Sequence, residues 1–423
     1  MGTVGGGTFN VLQRNATEIA RRAGRGIEVA QIATRHPNPA CNLGMTPVTD
    51  DVFELVNNPE IDIIVELIGG YTLAKDVVLK AIENGKHVVT ANKALIAVHG
   101  NEIFSAASAK GVMVAFEASV AGGIPIIKAL REGLAANQID WVAGIINGTG
   151  NFILTEMRDK GRTFEDVLAE AQALGYAEAD PTFDVEGIDA AHKLTILASI
   201  AFGIPLQFDK AYTEGITKLT TADVNYAEAL GYRIKHLGIA KHANDALQLR
   251  VHPTLIPEAK AIAQVDGVLN AVMINASGVG ELLLVGPGAG SRPTASAVMA
   301  DVVSLARSIA SNEQPSIHSM GVGVSAMSQP VITHINEVAS AWYLRLDAED
   351  KPGVMASLTQ CLSQCGIGIE SLIQKPESAA LAKVPVILMT DEAPTRAVEQ
   401  AIANIEALPS VGGPVTCLRV ENF

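Results

Sequence analysis

Short β-branched runs alternate with segments of helical apolar spacing through the first third of the chain. Residues 7–23 carry the three-to-four-residue repeat of one helix, with Gly24 placed to end it. Strands are predicted at 27–34, 61–68 and 86–91, with helices at 51–57 and 73–84, the second closed by Gly85. Strands alternating with helices imply parallel βαβ units and a doubly wound, Rossmann-type α/β sheet. The middle third changes pattern. Strands near 141–146, 247–252, 271–276 and 281–285 are interleaved with long helices, which predicts a separate mixed α/β domain. The prolines and glycines of 287–293 break the chain, and an alanine-rich helix at 294–310 is able to pack back onto the first domain.

Residues 311–329, with Pro315, several Gly and Ser, Met320 and Met327, have the composition of a linker. Beyond them the pattern is strand 341–347, turn 350–353, helix 354–364, strands 367–373 and 384–390, helix 394–408 and strand 415–420. This βαββαβ order is that of a ferredoxin-like unit. The resulting division is a dinucleotide-binding domain over 1–125 plus about 295–320, a substrate and dimerisation domain over 126–294, a linker at 321–338 and a tail unit over 339–423. The absence of any repeating period excludes a solenoid.

Composition narrows the function classes. The 423 residues are 48% hydrophobic, 18% charged and 4% aromatic, as suits a well-buried α/β protein, and the net charge is -14. Such a surface repels phosphate backbones and anionic lipid, which argues against nucleic-acid or membrane partners. Cys41, Cys361, Cys365 and Cys417 contain no CxxC pair and read as free thiols in a reducing compartment. The N-terminus is glycine-rich rather than basic then apolar, and the apolar runs are too short to span a bilayer, so a soluble cytoplasmic protein is expected.

Two segments carry candidate chemistry. In the opening Met1-Gly2-Thr3-Val4-Gly5-Gly6-Gly7, Gly2 and Gly5 match the second and third glycines of GxGxxG, where backbone amides approach a pyrophosphate. The first glycine and the strand before it are not in the sequence, so a sheet lacking its first strand is expected. Thr34-Arg35-His36 stands where NAD-specific enzymes place an acid. Arg35 suits a 2′-phosphate, though a solvated cation at a strand end fits as well. The second segment, 171–193, holds Glu178, Asp180, Asp184, Glu186, Asp189 and Lys193 around Pro181 and Gly187. Asp189 and Lys193 are four apart at a helix start and share one face. Alone they form an ion pair worth about 0.3–0.5 kcal/mol. With the neighbouring carboxylates they suggest an ammonium pocket or a metal site, and without His or thiol ligands the set suits zinc poorly.

The run A-x3-G-Y-x3-D-P-x2-D-V-x-G-x-D-x3-K at 171–193 resembles the signature of homoserine dehydrogenases. GTVGGGTFNVL (2–12), TANKALIA (90–97), FEASVAGGIPII (116–127), GIINGTGNFIL (144–154) and PTASAVMAD (293–301) resemble that family too, in its order. The resemblance implies reversible hydride transfer between L-aspartate 4-semialdehyde and L-homoserine, with NADP or NAD, in threonine, methionine and isoleucine biosynthesis. It implies that Lys193 is the proton donor, that Asp189 orients it, and that Lys93 sits near both the nicotinamide and the reacting oxygen. Glu178 would bind the substrate ammonium, Asp184 would wall the pocket, and the backbone of Asn147–Gly150, Gly148 included, and the Thr149 hydroxyl would face the substrate. Carbonyls of Glu117, Val120, Gly122 and Ile124 would hold Na+, a plain glycine turn being the alternative. DKPGV at 350–354 resembles an ACT regulatory domain, in which the turn at Gly353 offers amides to an effector, threonine, across a homodimer or homotetramer. Two other readings compete: a catalytically inactive ACT-containing amino-acid sensor, and a phosphorylating semialdehyde dehydrogenase, whose nucleophilic cysteine has no match at Cys41.

Overall fold

The computed structural model describes residues 1–243, 245–311, 317–374 and 383–423, so Pro315 lies outside the described residues. The chain enters directly into α1 (Thr3–Arg14), followed by α2 (Ala16–Ala23). The single helix expected from residue 7 therefore starts earlier and breaks at Asn15, and Gly24 ends α2 in the left-handed region. Gly5, Gly6 and Gly7 lie inside α1 rather than in a loop ahead of it. There is a packing reason: a Cβ on Gly7 would stand 2.7 Å from the carbonyl oxygen of Ser291, at the head of a later helix.

Next come β1 (Ile32–Ala33), β2 (Val48–Thr49) and α3 (Val52–Asn57), which Asp51 caps by accepting the Phe53 amide at 2.8 Å. β3 (Ile63–Glu66), α4 (Thr72–Glu83), β4 (His87–Thr90), α5 (Lys93–Lys110) and β5 (Val114–Ala115) then alternate. β3, β4 and β5 form a parallel sheet in that order, while among the described residues β1 pairs only with β2. The strand expected over 27–34 thus shrinks to Ile32–Ala33, because only this stretch meets a ladder partner among the described residues. The parallel strands stand in two pieces, not one doubly wound sheet.

The middle of the chain contains α6 (Ile126–Lys128), β6 (Ile139–Ile145), α7 (Gly148–Lys160), α8 (Phe164–Ala173), α9 (Thr182–Val185), α10 (Ile188–Phe202), β7 (Tyr212–Thr213) and α11 (Thr221–Ala229). It continues through β8 (Tyr232–Ala243), β9 (Ala246–Pro257), β10 (Leu269–Ala276), β11 (Gly280–Pro287) and α12 (Ser291–Ser311). α10 is buried along nearly its whole length, and Leu194, Ile196 and Leu197 share a core with Val142 and Ile146 on one side of the sheet. Each such side chain contributes roughly 1.5–3 kcal/mol by leaving water. β8 was not anticipated. Its YRIKHLGIAKHA run lacks alternation because Lys235, His236 and Lys241 interrupt it. Yet Lys235 is buried, donating to Asp266 at 2.9 Å and the Val265 carbonyl at 2.7 Å. α12 returns to the N-terminal part, where Val298, Val302 and Leu305 pack with Leu12, Ile19 and Val89.

The last part comprises β12 (Val331–Ile332), β13 (Ala339–Ala348), α13 (Val354–Gln364), β14 (Ile369–Gln374), β15 (Val384–Thr390), β16 (Ala393–Pro394), α14 (Thr395–Glu406) and β17 (Val411–Val420). Its strands run β17-β13-β15-β14. β17 also pairs in parallel with β9, through Arg419 and Thr254, so the two sheets merge into a single 12-stranded one. Part of the stretch read as a linker is itself a strand, β12, on β9. A buried ion pair, Arg250–Glu421 at 2.6 Å, and a half-buried one, Arg345–Asp223 at 2.6 Å, cross the same seam. Among the described residues, no helix is long and apolar enough to cross a membrane.

Candidate active site

Lys93 is aimed by the turn that ends β4. The Thr90 hydroxyl donates to the buried Glu66 at 2.6 Å and accepts the Asn92 amide at 2.9 Å. Asn92 caps α5 by accepting the Leu95 amide at 3.0 Å, and its own amide group holds the carbonyls of Ile68 and Gly70. Lys93 is therefore the first residue of a well-capped helix. Sequence reasoning missed Glu66, since a lone acid at a strand end carries no signal. Burial raises the pKa of its carboxyl group, against the hydrogen bonds from Thr90 and Ile68.

From the other side, Gly187 takes φ 82° and lets α10 begin beneath the same point. Lys193 Nζ donates to Asp189 Oδ2 at 2.6 Å and to the Ile146 carbonyl at 2.7 Å. Lys93 pairs with the opposite oxygen, Asp189 Oδ1. One carboxylate thus carries both ammonium groups. Asn147, which the sequence did not single out as a side chain, donates to Asp189 Oδ2 at 2.9 Å and to Asp184 Oδ1 at 2.8 Å. Its oxygen caps α7 by accepting the Gly150 amide at 2.8 Å. The Thr149 hydroxyl donates to the Tyr176 carbonyl at 2.7 Å, and Gly148 lies against the Val268 carbonyl.

The charges are unequal in exposure. The Asp189 and Lys193 side chains are 2% and 10% exposed, whereas that of Lys93 is 36% exposed, so the cluster opens to solvent on the Lys93 side. Burial opposes ionisation of Asp189, but Lys193 and Lys93 outweigh it and hold the carboxyl well below the ordinary range. Burial lowers the Lys193 pKa, Asp189 raises it and Lys93 lowers it, for a net downward shift. Burial and Asp189 keep the pKa of Asp184 raised, against its hydrogen bond from Asn147. His192 lines the same place between Phe183 and Phe208, and its pKa falls to about 4, chiefly through burial.

Other residues singled out from the sequence lie apart. Glu178 is exposed on the loop after α8, Asp180 accepts the Thr182 amide, and Glu186 accepts the Thr217 hydroxyl. The acidic run therefore does not converge on Lys193; only Asp184 and Asp189 do, because the intervening turns face solvent. The first bond of α1 runs from the Gly6 amide to the Gly2 carbonyl, so the amides of Thr3, Val4 and Gly5 precede the helical ladder. Gly5 faces Leu67, just beyond β3. Arg35 is exposed just after β1.

In the loop at 117–124, Ala121 (φ 54°) and Gly122 (φ 47°) are both left-handed. The Glu117 carboxylate accepts the amides of Ile127 and Lys128, while the Ile124 carbonyl accepts the Ile126 amide at 2.8 Å. Burial and Asp301 raise the Glu117 pKa to about 7. Gly353, at φ 93°, opens α13 on the far side of the seam.

A pair of lysines on one buried carboxylate, beyond the end of the central strand of a parallel sheet that a glycine-rich helix start also approaches, is an arrangement that can deliver a proton beside a bound nucleotide. The family profile for homoserine dehydrogenase matches residues 125–303, and that for the homoserine dehydrogenase NAD-binding domain matches residues 1–117. The chain is 66% identical to homoserine dehydrogenase of Pseudomonas aeruginosa, over 100% of this chain and 98% of that one. It is 50% identical to that of Neisseria gonorrhoeae, over 100% and 97% respectively. The chain belongs to the homoserine dehydrogenase family. A crystal structure of a homoserine dehydrogenase from Thiobacillus denitrificans superimposes with a TM-score of 0.95 at 57% identity, covering 100% of this chain and 96% of that one. A hyperthermophilic archaeal homoserine dehydrogenase, solved in complex with NADPH, matches at a TM-score of 0.61 and 28% identity, over 71% of this chain and 94% of its own. The protein is an NAD(P)-dependent oxidoreductase with homoserine dehydrogenase activity, acting on homoserine and aspartate semialdehyde. Membership at this identity, with Lys93, Asp189 and Lys193 together, sets aside the inactive sensor.

Proposed function

We propose that Lys193 exchanges the proton with the substrate oxygen, with Lys93 beside it and Asp189 orienting both. The observation that carries this reading is the sharing of Asp189 by the two ammonium groups. Reduction of an aldehyde places negative charge on oxygen, and two cations stabilise it, the nearly buried Lys193 more strongly than the solvent-facing Lys93. Lys193 suits the role because its burial and the Lys93 charge bring its pKa down from the ordinary lysine value. Asp189 stays ionised and fixes the Nζ position. Asp184, Asn147, Gly148 and Thr149 wall the pocket, and Glu178, exposed on the loop after α8, is assigned to the substrate ammonium on the family resemblance.

The nicotinamide nucleotide supplies or accepts the hydride when bound. The free amides of Thr3, Val4 and Gly5, at a helix start beyond the end of β3, fit its phosphates, with Gly2 leaving the approach open. Arg35 would meet a 2′-phosphate, favouring acceptance of NADP alongside NAD. The strained Ala121–Gly122 turn suits carbonyl ligation of Na+ by Glu117, Val120 and Gly122; Ile124 fits less well, its carbonyl being engaged by Ile126. Residues 304–423 lie beyond both family profiles and hold the βαββαβ pattern, which supports an appended ACT unit; threonine as effector at the Gly353 turn, a homo-oligomer and a cytoplasmic location rest on the family resemblance and the composition. The domain division given by the sequence is retained here, with the tail joined through β17.

Lys193→Ala tests the central assignment. The kcat for homoserine oxidation should fall by at least 10²-fold, with the far-ultraviolet spectrum unchanged. Near-normal turnover would remove Lys193 from the reaction.

A further inference from the structure

His236, on β8, is 4% exposed and wedged against the starts of the two helices that carry the site. A Cβ on Gly187, ahead of α10, would lie 3.0 Å from its Cε1, and one on Gly150, in the first turn of α7, 3.7 Å from its Nδ1. Gly187 precedes Asp189 and Lys193, and Gly150 is the amide capped by Asn147. The ring is fixed from its far side: Nε2 lies 2.8 Å from the Glu214 carbonyl, which can only accept, so Nε2 carries the proton. Nδ1 is then a buried acceptor with no hydrogen-bond partner among the described residues. The mechanism above does not use this histidine.

Glu214 faces two ways. Its carbonyl holds His236, and its amide bonds the Val251 carbonyl at 2.8 Å. Its carboxylate accepts from the Tyr212 hydroxyl at 2.9 Å and from Arg419 at 3.1 Å. Arg419 belongs to β17, in the tail. Its guanidinium, 4% exposed, stacks 4.5 Å from Trp342 and 5.1 Å from Tyr212. Three contacts thus connect the last strand of the chain to the helix starts of the active site.

We infer that Arg419, acting through Glu214 and His236, is a positioning residue for the Asp189–Lys193 pair, so that the C-terminal strand sets the geometry of the reaction. The inference rests on the roles proposed above for Asp189 and Lys193. The warrant is contact: His236 and the Arg419 side chain are each 4% exposed, the Glu214 side chain between them is 33% exposed but bonded to Arg419, and the ring stands so close to Gly187 that a Cβ there would meet it at 3.0 Å. Freed from Arg419, the Glu214 segment relaxes, the wedge at Gly187 loosens, and Asp189 drifts from Lys193. Small misplacements of this kind are amplified in catalysis.

The test uses the full-length enzyme and three variants. Arg419→Met keeps the stem and removes the charge, Glu214→Gln keeps the shape and removes the anion, and Arg419→Lys restores a cation. Arg419→Met and Glu214→Gln should each lower kcat for homoserine oxidation about tenfold, leave the KM for NADP within about twofold, and regain part of the loss in Arg419→Lys. Because Asp189 raises the Lys193 pKa, loosening the pair should also move the acid limb of the kcat/KM profile to lower pH, which lost stability alone does not do. Wild-type kcat and an unmoved limb in folded Glu214→Gln would overturn the inference, even if Arg419→Met failed to fold. Failure of the underlying roles is read separately, as normal turnover in Lys193→Ala.

Discussion

Replacing Asp189 with Asn removes one charge and almost no volume from a group that two lysines share. The consequence for stability follows from exposure. Lys193 is nearly buried, and breaking a buried pair by removing one partner costs about 3–5 kcal/mol. Lys93 is more than a third exposed, so water screens its half and the loss there is at most about 1 kcal/mol. Lys193 can also shed its proton once Asp189 no longer supports the charge, which points to the lower end, about 3 kcal/mol in all. A domain stable by about 5–15 kcal/mol still folds at 25 °C after such a loss.

Urea unfolding at pH 7, followed by fluorescence of Trp141 and Trp342, reads this directly, and kcat should fall by about 10²-fold because the proton donor is no longer held. The pH dependence has a definite sign. The Asp189 carboxyl is held below the ordinary range in the folded state, so its contribution is fully present above about pH 4 and is lost as pH falls through the folded value. The Asn variant lacks that loss and converges on the wild type in strong acid. An unchanged urea midpoint together with kcat within twofold of wild type would refute the reasoning.

Further outcomes follow from other contacts. Arg35→Ala should weaken NADP about tenfold while leaving NAD within about twofold, measured by cofactor fluorescence quenching, and equal weakening would contradict the 2′-phosphate assignment. Gly7→Ala should destabilise the packing of α1 on α12 by about 1–3 kcal/mol, since the added methyl meets the Ser291 backbone, and should raise the Kd for NADPH; an unaltered melting temperature and Kd would speak against it. Glu421→Gln leaves the buried Arg250 short of its counter-ion and should lower stability by about 3 kcal/mol in urea unfolding, with no change meaning that the seam is not held there. The His236 pKa is lowered to about 4 by burial, so between pH 6.5 and 4 the unfolded chain takes up a proton that the folded one refuses. That lowers wild-type stability by on the order of 3 kcal/mol across this window, and His236→Gln should show a shallower decline; parallel curves would contradict it.

Parts of this molecule were legible from residue order alone. The helix Val354–Gln364 and the strand Val384–Thr390 coincide with their expected bounds, because regular periodicity ends at clear turn signals. β8 escaped because Lys235 and His236 are buried with partners supplied by distant loops, which no local pattern reveals. The spacing of Asp189 and Lys193 put them on one face without any structure. Their meeting with Lys93 depends on α5 and α10 packing together, and only the family resemblance anticipated it. The side chains of Asn147 and Glu66 gave no signal, as single polar groups at element ends. The acidic run promised more than it holds: composition counts carboxylates, while turn geometry decides that Asp180 and Glu186 serve the loop. The merging of tail and core through β17 and β9 was likewise invisible, since edge pairing between remote strands is a property of the fold.

A crystal structure of the enzyme with NADP+ and homoserine bound would test the two-lysine site most directly. The reacting hydroxyl should lie within hydrogen-bond reach of Lys193 Nζ, about 2.6–3.2 Å, on the side where Lys93 also approaches. A hydroxyl bound elsewhere in the pocket, beyond reach of both ammonium groups even through one water, would contradict the account.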